Sequence, residues 1–138
     1  MTLFVPYRRA TLLIPSGPEA DPFRKHLFIL LTDPVANATG DKEALLVGVA
    51  SVRQGYFHDP ACHLYPGDHE FIGRESYVHY ARARIELAQK LVNGVKQGLF
   101  VPKQMLGPEI FARVCHGLTE SRHTTPKILS FYLAAACG

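Results

Sequence analysis

His26-Leu-Phe-Ile-Leu-Leu-Thr32 is a continuous apolar run, too short for a comfortable helix, and it reads as a strand buried within a sheet. Asp33-Pro34 ends it, and loop residues fill the stretch from Asn37 to Lys42. Upstream, Thr11-Leu-Leu-Ile14 is a second short apolar strand, stopped by the turn signal Pro15-Ser-Gly-Pro18. The polar, proline-rich stretch from Pro15 to Lys25 is a loop. Downstream, Ala44 to Arg53 (ALLVGVASVR) is a third strand, in which Gly48 marks a bulge or a close backbone approach. A loop from Gln54 to Pro60 and a turn at Pro66-Gly-Asp68 follow. His69 to Ile72 and Ser76 to Tyr80 are then expected as two further short strands, Tyr77, Val78 and Tyr80 suiting a half-buried pleated surface.

The period changes near Ala81. Ala81, Ile85, Ala88, Val92 and Val95 recur at spacings of four and three, the stripe of one helix, and Gly98 is placed to stop it. Leu99-Phe-Val101 is extended, because a residue before proline is biased away from helix. Pro108 opens a second helix, with Ile110, Phe111, Val114 and Leu118 on its buried face. Thr125 followed by Pro126 repeats the device, a cap and then a first-turn proline. Strands first and helices after predict an α+β domain: a small SH3-like antiparallel barrel with peripheral C-terminal helices.

Length and composition fit one domain spanning residues 1–138, large enough to close a core without disulfides. The 47% apolar and 20% charged residues are ordinary globular values and argue against disorder. No apolar run approaches the roughly 20 residues that cross a bilayer. Arg8 and Arg9 follow the first apolar residues instead of preceding them, unlike a secretory signal, so a cytoplasmic location is expected. Cys62, Cys115 and Cys137 form no paired unit and are expected as reduced thiols. The net charge of +3 permits an anionic partner without demanding one, so nucleic-acid binding needs a local argument.

The densest polar cluster runs from Tyr56 to Tyr80 and admits three readings. His58, Cys62, His63 and His69 are zinc-type ligands, but no second paired unit completes a site. His69 is the best single acid–base group, because imidazole titrates near neutrality; Asp68 beside it serves equally well to close the turn. The third reading is a solvated loop over the sheet. Cations gather at strand ends: Arg24 and Lys25, with His26, lead the second strand, Arg53 ends the third, and Arg74 follows the fourth. Such a set would line a groove able to hold phosphates. Arg82 and Arg84 add two more charges.

The layout of these pieces, from Thr11 to Leu118, resembles the MazF/PemK (Kid) family of bacterial toxin endoribonucleases, which adopt an SH3-like barrel. The carrying stretches are Thr11 to Ile14, the Pro15 to Asp21 loop, Arg24-Lys-His-Leu-Phe-Ile-Leu-Leu-Thr32, Val47-Gly-Val-Ala-Ser51, Ser76-Tyr-Val-His-Tyr-Ala-Arg-Ala-Arg-Ile85 and the closing Gly98-Leu-Phe-Val101 with Pro108 to Val114. Some members carry an acid where Tyr80 stands here, and the chain has no tryptophan for the family's opening motif. The resemblance implies metal-independent scission of single-stranded RNA with no cofactor. Arg24 would be the charge-stabilising cation, Ser51 the phosphate-binding hydroxyl and His69 the proton carrier. Lys25, Arg53 and Arg74 would hold RNA. It also implies a homodimer, a protein antitoxin as partner, and no membrane association. The alternative is a non-catalytic barrel that binds a protein or nucleic-acid partner, since one fold hosts many functions.

Overall fold

Alternate residues of the central strands face two different cores, which is why their sequences are apolar without interruption. Odd-numbered Leu13, Leu27, Ile29, Leu45, Val47 and Val49 lie in one buried cluster; even-numbered Leu12, Ile14, Phe28, Leu30, Ala44 and Leu46 lie in another. A sheet covered on both faces has no polar side to alternate with. The computed structural model describes residues 4–16 and 24–137, so the middle of the expected Pro15–Lys25 loop lies outside the described residues.

The strands are β1 (Thr11–Pro15), β2 (Lys25–Leu30), β3 (Val35–Ala36), β4 (Lys42–Ser51), β5 (His63–Leu64), β6 (Ser76–Val78), β7 (Arg84–Leu87) and β8 (Val101–Lys103). The helices are α1 (Ala88–Lys96), α2 (Pro108–Glu120) and α3 (Pro126–Cys137). The protein is therefore α+β, with every ladder antiparallel in the order β5-β6-β4-β2-β1-β8, and with β3 and β7 also on β4. The path is open, not the closed barrel expected, because β5 and β8 at its ends pair with one neighbour each. Val114 and Leu118 of α2 and Ile128 of α3 fill the odd-face core. Leu91 and Val95 of α1 cover part of the even face.

Two expected elements differ. His69 to Ile72 is a turn, closed by the Ile72 N–H on the His69 carbonyl at 3.0 Å; the strand that pairs with β6 is His63–Leu64. The helix expected from Ala81 begins only at Ala88. Tyr80–Arg82 is a single 3-10 turn, and Arg84–Leu87 pairs with Glu43–Leu46 of β4, so ladder bonds override a helical spacing that is too short to nucleate alone. The helix ends as expected at Gly98, whose φ of +76° costs a residue with a side chain but not glycine. Pro108 sits in the first turn of α2, and Thr125 Oγ1 accepts the Ile128 N–H at 3.4 Å.

The feature that makes a site is a parting of strands. β4 pairs with β2 from Leu46 to Gly48 and there stops; from Val49 to Ser51 it pairs only with β6, on its other edge. Residues 25–27 of β2 continue on β1 alone. A recess opens between the start of β2 and the end of β4.

Candidate functional site

His26 stands at the middle of this recess. Three adjoining hollows meet there, and His26 and Ala50 border all three. One, of about 220 Å³, is walled by Arg24, Lys25, Ser51 and Arg74. A second, of about 500 Å³, adds Arg53 and the aromatic side chains Tyr56, Phe57 and Tyr77. The third, of about 240 Å³, lies on the even face beyond the reach of α1 and is bordered by His79, Arg82 and Arg84.

The register explains the hollow. By continuation of the ladders, His26 and Phe28 of β2 face the same side as Gly48 and Ala50 of β4 and as Tyr77 and His79 along β6. The middle strand thus contributes the two smallest side chains, and its neighbours the largest. Phe28 leans over Gly48 so closely that a Cβ there would lie 3.1 Å from the ring. Arg84 rests over that ring, its guanidinium carbon 4.7 Å from the centroid, a cation–π contact.

Five of the six expected residues therefore border the recess: Arg24, Lys25, Ser51, Arg53 and Arg74. The sixth does not. His69 is 4% exposed, and both its ring nitrogens are engaged. Nδ1 accepts the Phe71 N–H at 3.0 Å, which fixes the proton on Nε2, and Nε2 donates to the Gln104 carbonyl at 2.8 Å. The Thr11 hydroxyl donates to the same carbonyl at 2.7 Å. His69 is a strut between the turn and the strand edge, and its expected role as a proton carrier is corrected on that ground. Asp68 closes the turn, its carboxylate accepting the Tyr65 N–H at 2.8 Å. Tyr80 is fully buried and donates to the Val114 carbonyl at 2.6 Å, so it takes no part in the recess.

His26 occupies the setting that His69 lacks. The Ser16 hydroxyl lies 3.3 Å from the Ile14 carbonyl and 2.8 Å from Nδ1 of His26, and when it donates to the carbonyl its oxygen accepts from Nδ1–H. Nε2 then carries a free lone pair. Partial burial, then the charges of Arg24 and Arg53, hold the imidazole below the usual histidine range. His79 is held low in the same way, by burial first and Arg82 next, with Asp59 opposing and His123 adding. Among the described residues, Arg24, Lys25, Arg53, Arg74 and Arg82 form no ion pair, while Arg84 has Glu86 at 3.8 Å.

Other hollows are built differently. One of about 400 Å³ between the β2–β3 connection and the last two helices has its Arg8 held by Asp33. A shallow one of about 600 Å³ beside α2 has Arg113 engaged with the His63 carbonyl at 2.6 Å and Asp68 at 3.7 Å. Among the described residues no three His, Cys, Asp or Glu side chains group as metal ligands. Burial raises the Cys62 and Cys115 thiols, which argues against thiolate chemistry at either. No described helix is long and apolar enough to cross a membrane.

The sequence reading overlooked His26 as a reactive group, Tyr56 and Phe57 as an aromatic rim, and His79 across the floor. A signal existed: Gly48 and Ala50 at alternate positions of a strand otherwise rich in Leu and Val mark a floor on which larger neighbours converge. No protein-family model matches the chain, and neither a curated protein nor a solved structure is similar to it.

Proposed function

We propose that this protein is a metal-independent endoribonuclease of the toxin-like kind, cutting single-stranded RNA in the recess where β2 and β4 part. One observation carries the reading: four cations, a serine hydroxyl and an imidazole with a free nitrogen, drawn from distant parts of the chain, border connected hollows. Phosphates suit the cations, and Tyr56 and Phe57, 75% and 62% exposed, suit stacking with unpaired bases. Arg24 stabilises the charge that builds on phosphorus, Ser51 binds a phosphate oxygen, and His26 takes the proton of the attacking 2′-hydroxyl. Lys25, Arg53 and Arg74 hold the strand. The SH3-like layout belongs to this proposal as a curled, open version of that barrel, and so do a homodimer and a protein antitoxin as its partners.

The experiment is direct. Purified protein is mixed with a fluorophore–quencher single-stranded RNA in EDTA, and products are tested for a 2′,3′-cyclic phosphate end. Cleavage that Arg24→Ala slows by about 10² to 10³-fold, the scale of a lost charge-stabilising donor, supports the reading. Intact RNA after prolonged incubation overturns it. The displaced role of His69 favours a second reading, a module that binds single-stranded nucleic acid without cutting it. That module would shift RNA and the matching DNA alike on a gel and leave both whole.

A further inference from the structure

We propose that His79 is the partner acid of His26, with the scissile phosphodiester at His26, where the hollows lined by Arg24 and Ser51 adjoin the even-face one, and that this even-face hollow, bordered by both imidazoles, Arg82 and Arg84, holds the nucleotide on its leaving side. This rests on the ribonuclease reading and adds to it the direction of the strand and the second proton carrier.

The geometry has four parts. His26 and His79 rise from strands on either side of β4 and border one hollow of about 240 Å³, with Gly48 and Ala50 between them. That volume is below the roughly 300 Å³ at which drug-sized sites begin, and suits one step of a polymer backbone. The His79 main chain is pinned, its N–H donating to the Gly48 carbonyl at 2.9 Å, so the side chain starts from a fixed point on the floor. Among the described residues neither ring nitrogen of His79 has a hydrogen-bond partner; its ring meets that of Tyr77 at 5.5 Å between centroids. Arg84 is held over Phe28, and its Nε, 3.8 Å from the Glu86 carboxylate, is buried with no hydrogen-bond partner among the described residues. With Arg82 it gives this end of the hollow two cations for a second phosphate, as Arg24, Arg53 and Arg74 give the other.

The reaction balances with these groups alone. The 2′-oxygen forms a bond to phosphorus as its proton passes to Nε2 of His26. The bond from phosphorus to the 5′-oxygen breaks as that oxygen takes a proton from the His79 imidazolium. The products are a 2′,3′-cyclic phosphate and a free 5′-hydroxyl, and exchange of one proton with solvent at each imidazole restores the start. A carboxylate is not required, which accommodates Tyr80 at the place of the toxins' acid.

The test uses two substrates, an ordinary RNA and the same RNA with sulfur in place of the bridging 5′-oxygen at one linkage, whose thiolate leaves without a proton. With His79→Asn, cutting of the ordinary RNA should fall about 10² to 10⁴-fold, and cutting of the sulfur-bridged RNA should return to within a few-fold of wild type. With His26→Asn both substrates should be cut slowly. Equal losses on both substrates with His79→Asn, or none on either, overturn the acid role of His79 while leaving the ribonuclease reading in place. Wild-type protein that cuts neither substrate removes both. Thermal melts and RNA affinity of each variant separate loss of chemistry from loss of fold or binding.

Discussion

His69 donates from Nε2 to the carbonyl of Gln104, joining the turn after β5 to the segment that leaves the edge strand β8. The Glu70 and Gln104 side chains reinforce the link, each accepting the other's backbone N–H at 3.1 Å. A buried imidazole with both nitrogens satisfied contributes stability and specifies the turn. His69→Ala should therefore lower stability by about 1–3 kcal/mol, from the unmet Phe71 N–H and the lost packing. Urea melts would measure this, and cleavage per folded molecule should match wild type. A large fall in turnover without a change in the melt would restore His69 to the chemistry.

Tyr80 and Gly117 permit each other. A Cβ on Gly117 would overlap the Tyr80 hydroxyl, so Gly117→Ala forces the ring or α2 to move, at a cost of about 1–3 kcal/mol in a packed core. Tyr80→Phe removes a second donor from the Val114 carbonyl, which keeps its helical one, and should cost about 0.5–1.5 kcal/mol. The double variant Gly117→Ala with Tyr80→Phe should be less destabilised than the sum of the two, since removing the hydroxyl makes room. Additive losses would contradict the contact.

The cations of the recess should bind by charge and the aromatic rim by stacking. Arg53→Ala should reduce the slope of log affinity for single-stranded RNA against log salt by about 0.7, the value for one phosphate contact. Tyr56→Ala and Phe57→Ala should each weaken binding by about 1–3 kcal/mol while leaving that slope unchanged. Titrations at several salt concentrations distinguish the two. A slope unaffected by Arg53→Ala places the strand elsewhere.

Both imidazoles are held below the usual histidine value near 6.5. The groups facing His26 are Arg24, Arg53 and Ser16, with Arg82 and Arg84 across the hollow; His79 faces Arg82, Asp59, His123 and Tyr77. A base must be neutral and an acid protonated, so cleavage should follow a bell whose maximum lies on the acid side of 6.5. The linkage sign is the same for both groups: a lowered folded value means that the unfolded chain binds more protons in the window just below 6.5. Their contribution to stability is thus intact above about 6.5 and falls as pH drops through that window. A rate still climbing above pH 7 would count against the pair.

Much of this architecture is legible in the chain. Thr11–Ile14 and His26–Thr32 read as strands because they are too short for a comfortable helix and continuously apolar, Ala44–Arg53 reads as a third, and Pro108 and Pro126 mark helix starts by a local rule that tertiary contacts did not disturb. The segments that misled are those whose state depends on a partner. Arg84–Leu87 has helical spacing but is claimed by β4; His69–Ile72 has strand residues but no strand left to pair with, since His63–Leu64 occupies the edge of β6. The site divides along the same line. Cations at strand ends could be read from position, because strand ends collect in space. Which histidine looks inward and which into the recess could not, because that depends on whether an odd or an even residue faces each core, and on the single position at which β2 and β4 part.

That parting of β2 and β4 has a bearing on how a ligand arrives. The hollow is bounded by β2 main chain that β1 holds along its far edge and by β4 main chain that β6 holds along its far edge, so both walls are fixed from behind. A visiting strand meets a shape that exists before contact and spends little free energy on reorganising its host. Capture should then be quick, governed by long-range attraction between opposite charges, and sensitive to added electrolyte from the first encounter.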